Sequence, residues 1–228
     1  MHPLDNIIWK ALITRQAEFA ESFHQARRFV PEVSPLGAFR EPTPEGYESL
    51  ARLLSTGRTV GLFLEAPYQA RAGWTLVAGA PMPEMVYEGT SVPASQHTSH
   101  FEIVELGAAD APEMIALTAL TKPGPFGQRT HELGRYLGIR RDGKLVAMAG
   151  ERLKVPGYTE VSAVCTHPDY TGHGYARILM MEIMQQICCR GETPLLHVRE
   201  DNVRAVELYQ RLGFAQRVLL HFAVLRKE

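Results

Sequence analysis

A chain of 228 residues with 45% hydrophobic and 21% charged residues has the make-up of a globular protein and not of a disordered, collagenous or coiled-coil one. Its formal net charge of -1 argues against the strongly basic face that duplex binding uses, so nucleic acid is not an expected partner. No run of about 18 apolar residues occurs and MHPLDNIIWK lacks the basic-then-apolar layout of a secretory signal, so no membrane partner and a cytoplasmic location are expected.

Three cysteines, Cys165 and the adjacent Cys188 and Cys189, suit neither a disulfide framework nor a spaced zinc site, and no metal is expected. The first 20 residues, with Ile7, Ile8, Ala11, Leu12 and Phe19, suggest a helix or two short ones. HQARRFVPEVSPLGAFRE and RTVGLFLEA read as strands flanking the helical stretch PEGYESLARLLS, and GWTLVAGAPM reads as a further strand. SVPASQHTSH, residues 91–100, shows no apolar period and reads as a linker between an N-terminal α/β domain, 1–90, and a second domain, 101–228.

Beyond the linker FEIVELG is a strand, APEMIALTALT a helix with Asp110 as its cap candidate, TKPGPFG a loop and RTHELG a short second helix. YLGIRRDGKLVAMAGERL reads as a hairpin turning at Asp142-Gly143. TEVSAVCT is a strand, and Ala176, Leu179, Met180, Ile183 and Ile187 follow the period of an amphipathic helix closed by Gly191. PLLHVRE is a strand, Asn202 caps the helix NVRAVELYQRL, Gly213 ends it, and AQRVLLHFAVL is the last strand. The order is mixed α/β (α+β), with hairpins ahead of the crossovers.

Gly172 and Gly174 stand between a strand and a helix start, where unpaired amides and the positive end of the helix dipole favour an anion. The pair also suits a plain chain reversal. No Gly-Lys-Ser/Thr follows, so it is not a P-loop, and it lacks the third glycine with a distant acidic residue of a dinucleotide fingerprint.

Read with their surroundings, these residues resemble the GNAT acetyltransferase superfamily. Thr171-Gly172-His173-Gly174-Tyr175-Ala176 matches the family's Q/R-x-x-G-x-G/A, and DNVRAVELYQRLGF is similar to its N-x-x-A-x-x-x-Y-x-x-x-G-F. The element order from Phe101 to Leu225 fits the GNAT fold, and the C-terminal element looks closest to the glycine-N-acyltransferase-like branch. The resemblance implies a mixed, mostly antiparallel sheet flanked by helices. The N-terminal half would be a degenerate copy of that fold or an α/β cap. Thr171 departs from the family, which has Gln or Arg there to help hold the pyrophosphate.

Carried over residue by residue, the resemblance places the pyrophosphate of acetyl-CoA on the amides of Gly172, His173, Gly174, Tyr175 and Ala176, with His173 or Arg177 assisting. Val164 and Thr166 would bond the pantetheine arm through their backbones, with Cys165 packed between them. An acyl-cysteine is disfavoured because nothing near Cys165 in sequence would activate its thiol. Tyr209 is the general-acid candidate, Asn202 a helix cap that also touches coenzyme A, and Glu160 the general-base candidate, ahead of Glu151, His131 and His197. Phe126 and Arg129 would line the acceptor entrance. The expected activity is acetyl transfer from acetyl-CoA to a primary amine, small molecule or peptide, by direct attack in a ternary complex. The alternative is a weak or inactive coenzyme-A-binding regulatory module, and a homodimer is left open.

Overall fold

The computed structural model describes residues 2–92 and 101–228, so residues 93–100 of the expected linker lie outside the described residues. At the N-terminus α1 (Ile7–Ile13) buries Ile7, Ile8, Ala11 and Leu12, and a 3-10 turn, Ala17–Phe19, follows. HQARRFVPEVSPLGAFRE, expected as strand, instead divides. β1 (Ala20–Phe23), β2 (Ala26–Phe29) and β3 (Gly37–Phe39) make a separate three-stranded sheet. Pro31 and Pro35 lack the amides that one long strand would need to pair between β2 and β3. Next come α2 (Pro44–Arg52), capped by the Thr43 hydroxyl, then β4 (Thr59–Leu64) and β5 (Trp74–Tyr87), which continues past Met82.

The remaining elements are β6 (Ile103–Leu106), α3 (Ala111–Thr121), β7 (Tyr136–Arg141), β8 (Lys144–Val155), β9 (Tyr158–Thr166), α4 (Tyr175–Cys189), β10 (Thr193–His197), α5 (Val203–Arg211) and β11 (Phe214–Lys227). Two expectations need correction. RTHELG forms only a 3-10 turn, Thr130–Leu133. Asp110 does not cap α3, because its carboxylate takes the amide of Gly107 at 2.9 Å and Arg140 at 2.6 Å. Asp142 and Gly143 turn the β7–β8 hairpin with φ of 50° and 77°, the positive values a tight turn requires.

Eight strands form one sheet in the order β4-β11-β5-β10-β9-β8-β7-β6, antiparallel throughout except between β9 and β10. β5, from the N-terminal half, runs between β10 and β11, paired with β11 along almost its whole length. Side chains alternate across this sheet. Ala147, Ala149 and Leu196 pack under α4, while Met148, Leu153 and Leu195 face the side covered by α3 and α1. Among the described residues no helix is long and apolar enough to cross a membrane.

Candidate active site

The chain leaves β9 through His167 and a 3-10 turn, Pro168–Tyr170, and enters α4 after Gly172 (φ 85°) and Gly174 (φ 76°). Both glycines adopt the left-handed conformation that side chains resist, and a Cβ on either would point into open space. The first amide of the α4 ladder to find a carbonyl is that of Ile178, bonded to Gly174. Among the described residues the amides of 172–177 have no acceptor, so a run of donors and the positive end of a fifteen-residue helix face the same space. Thr171 does not add to it, since its hydroxyl donates to the Pro168 carbonyl at 3.0 Å. His173 lies over the Tyr175 ring with centroids 5.4 Å apart, and Arg177 is exposed.

Beside this turn β9 parts from β10. Their parallel pairing ends at Leu195 opposite Glu160, although β9 runs on to Thr166. The same stretch carries a bulge: Ala163 has a φ of 53°, and the β8 register steps from Met148–Cys165 to Gly150–Ser162. Val161 packs on the α4 side and Ala163 on the α3 side although they are two apart, so the bulge turns the strand's faces over. Val164 and Thr166 therefore lie on a strand segment whose β10-facing edge has no strand partner among the described residues. Cys165, buried under α3, has its thiol pushed up to about 11 by burial, which fits a packing residue.

Tyr209 on α5 packs against the same core cluster as Val164 and Tyr175. Burial pushes its hydroxyl up to about 12, and that hydroxyl has no hydrogen-bond partner among the described residues. Asn202 caps α5 by accepting the amide of Ala205 at 3.3 Å. Phe126 stands edge-on to Tyr136, with centroids 5.6 Å apart, and Arg129 is spent on a bidentate pair with Glu132 at 2.8 Å.

Glu160 is placed differently from a general base. It is fully buried, chelated by Arg152 at 2.6 and 2.8 Å, and takes the amide of Leu153 and Nδ1 of His197 at 2.7 Å. Burial raises its carboxyl pKa, but the charge and hydrogen bonds of Arg152, aided by His197, outweigh this and hold it at about 2. Glu151 is no freer, paired with Lys154 and Arg190, and among the described residues the buried Nδ1 of His131 has no hydrogen-bond partner.

His197 has a second carboxylate, Glu84 of β5, 3.3 Å from Nε2 but out of hydrogen-bond alignment, and Phe63 of β4 stacks on its ring at 4.3 Å. Arg217 closes on Glu84 and on Asp5 at 2.9 Å. Among the described residues the buried Tyr136 hydroxyl, near Arg152 and Glu160, has no hydrogen-bond partner. Glu84, Arg152, Arg217 and Phe63 belong to no spaced motif. Only strand register brings them together.

The geometry is that of a GNAT fold, and the comparisons agree. A family model described as FR47-like protein matches residues 136–222. The N-alpha-acetyltransferase RimI of Mycobacterium tuberculosis is 36% identical over 135 residues, 53% of this chain and 84% of that protein. The mycothiol acetyltransferase of Streptomyces avermitilis is 27% identical over 174 residues, 75% of this chain but 56% of that protein. A crystal structure described as a GNAT-family acetyltransferase from Novosphingobium aromaticivorans superposes with a TM-score of 0.92 at 36% identity, covering 100% of both chains. The chain belongs to the GNAT superfamily of N-acetyltransferases.

Proposed function

We propose that the protein transfers an acetyl group from acetyl-CoA to a primary amine within a ternary complex. The observation that carries this reading is the run of unpaired amides at 172–177 set beside the free edge of β9. These residues fit the donor: the amides suit a pyrophosphate, the open space at Gly172 and Gly174 admits it to the backbone, and the unpaired edge at Val164 and Thr166 suits the amide-bearing pantetheine arm. Bound acetyl-CoA supplies the activated acyl group. A β9 amide near Val164 holds the carbonyl oxygen, and Tyr209 holds a proton for the departing sulfur. The acceptor is an amine, and the relatives named for N-alpha-acetylation and for mycothiol support both peptide and small-molecule amines.

The test is calorimetry with acetyl-CoA on Gly174→Asn and Gly174→Asp. Both side chains tolerate the left-handed conformation, so the pair differs in charge alone. Asn, which fills part of the cradle, is expected to weaken binding and Asp, which adds a like charge, to abolish it, and equal binding by the two removes the phosphate cradle. Thr171, whose hydroxyl is turned into the loop, favours a second reading as a coenzyme-A-binding module without transfer. Thiol release over a panel of amines separates the two.

A further inference from the structure

Glu160, His197 and Glu84 stand on three adjacent strands, β9, β10 and β5, on the face covered by α1 and α3. Glu160 sits on the last rung that β9 shares with β10, and Glu84 is the direct cross-strand neighbour of His197. All three side chains are fully buried. Resting on the function proposed above, we infer that His197, clamped between Glu160 and Glu84, is a positioning residue that fixes where β9 leaves the sheet and so holds the acyl-donor slot open.

Hydrogen bonds and charge give the clamp its form. Arg152 holds Glu160 and Arg217 holds Glu84, with part-exposed Asp5 taking Arg217 at the rim. A buried carboxylate is costly unless its partners stay in place. The His197 ring ties the two glutamates, with Nδ1 on Glu160 at 2.7 Å and Nε2 facing Glu84 at 3.3 Å, and Phe63 stacked on it blocks the rotation that would release either one. Pairing that stopped before Glu160 would widen the slot, and pairing carried on to Ser162 would close it. Arg152 reinforces the β9 end from β8, and Arg217 the β5 end from β11. Because β5 comes from the N-terminal half, that half acts on the slot through Glu84.

The arrangement also ranks the variants by their expected cost. Without His197 each glutamate keeps its own arginine, so the loss is smaller than that of Arg152. His197→Leu removes the hydrogen bond to Glu160 and the ring nitrogen facing Glu84, whereas His197→Gln keeps an N–H for one glutamate. Both are assayed in the full-length protein well below their melting temperatures, by calorimetry with acetyl-CoA and by thiol release with an amine acceptor. His197→Leu is expected to weaken acetyl-CoA binding and lower kcat/KM by tenfold or more, since a misplacement of about 1 Å costs that much, and His197→Gln to recover part of both. A merely structural histidine lowers the melting temperature but leaves the affinity and kcat/KM of the folded protein unchanged, and that result overturns the inference. Should the leucine variant not fold, Glu84→Gln takes its place, and unchanged affinity there overturns it equally. Wild-type protein that binds no acetyl-CoA removes the proposed function itself, whereas wild-type binding with a silent His197 removes only this inference.

Discussion

A carboxylate that is to take a proton from an attacking ammonium needs an open lone pair and a pKa not far below neutrality. Glu160 has neither, with Arg152, His197 and the Leu153 amide on its oxygens. Glu160→Gln is therefore expected to act on stability, costing about 3–5 kcal/mol in urea unfolding because it strips Arg152 and His197 of their shared partner. The sign of the pH effect is fixed. A carboxyl depressed to about 2 contributes fully above its unfolded value of 4.5 and loses that contribution as pH falls through 2, so the gap between wild type and variant should narrow from pH 5 downward. His197, raised by its two glutamates against the effect of burial, works the other way, its contribution present at low pH and lost as pH rises through its folded pKa. Tyr209 is the opposite kind of residue, protonated at neutral pH and, among the described residues, without a hydrogen bond to lose. Tyr209→Phe is expected to lower kcat about 100-fold, within the range of general-acid losses. Acetyl-CoA affinity by calorimetry should stay unchanged, and an unchanged kcat would leave the tyrosine a packing residue.

At the scale of elements, the bulge in β9 decides whether there is a slot at all. Ala163 holds a φ of 53° with its Cβ packed under α3, a conformation that β-branched side chains resist. Ala163→Val is expected to lose about 1–3 kcal/mol of stability and to weaken acetyl-CoA binding together, whereas Ala163→Gly keeps both, as thermal melts and calorimetry can check. No glycine or proline in TEVSAVCT marks this bulge, and only the resemblance to the GNAT family, whose strand here splays from the next at a bulge, implies it. The glycine turn was legible because positive φ selects glycine, and the α5 cap because Asn202 is short and polar. Glu160 looked like a base because its place in the chain says nothing of what register sets beside it. Arg152 is eight residues away and His197 thirty-seven. Asp110 failed as a cap for a related reason, its carboxylate being claimed by Gly107 and Arg140.

At the scale of the molecule, the C-terminal half does not complete its own sheet. β5 fills the place between β10 and β11, pairs with β11 from Phe214 to Lys227, and buries Met85 and Tyr87 in the cluster that also holds α4 and Phe214. Removing residues 1–90 would strip one edge from β10 and both edges from β11, which loses β4 as well as β5, uncover that cluster, and leave His197 and Arg217 without Glu84. Unpaired strand edges and exposed core on this scale are poorly tolerated in water. A chain starting at residue 91 is therefore expected to aggregate or to melt without a cooperative transition, with no acetyl-CoA binding by calorimetry. Supplying residues 1–90 as a separate polypeptide should restore both, because β5 joins the sheet by ordinary antiparallel pairing along an edge the truncated chain leaves open. A truncated chain that melted cooperatively and bound acetyl-CoA with full-length affinity would mean that β5 only covers the sheet and that neither the slot nor its clamp depends on the N-terminal half.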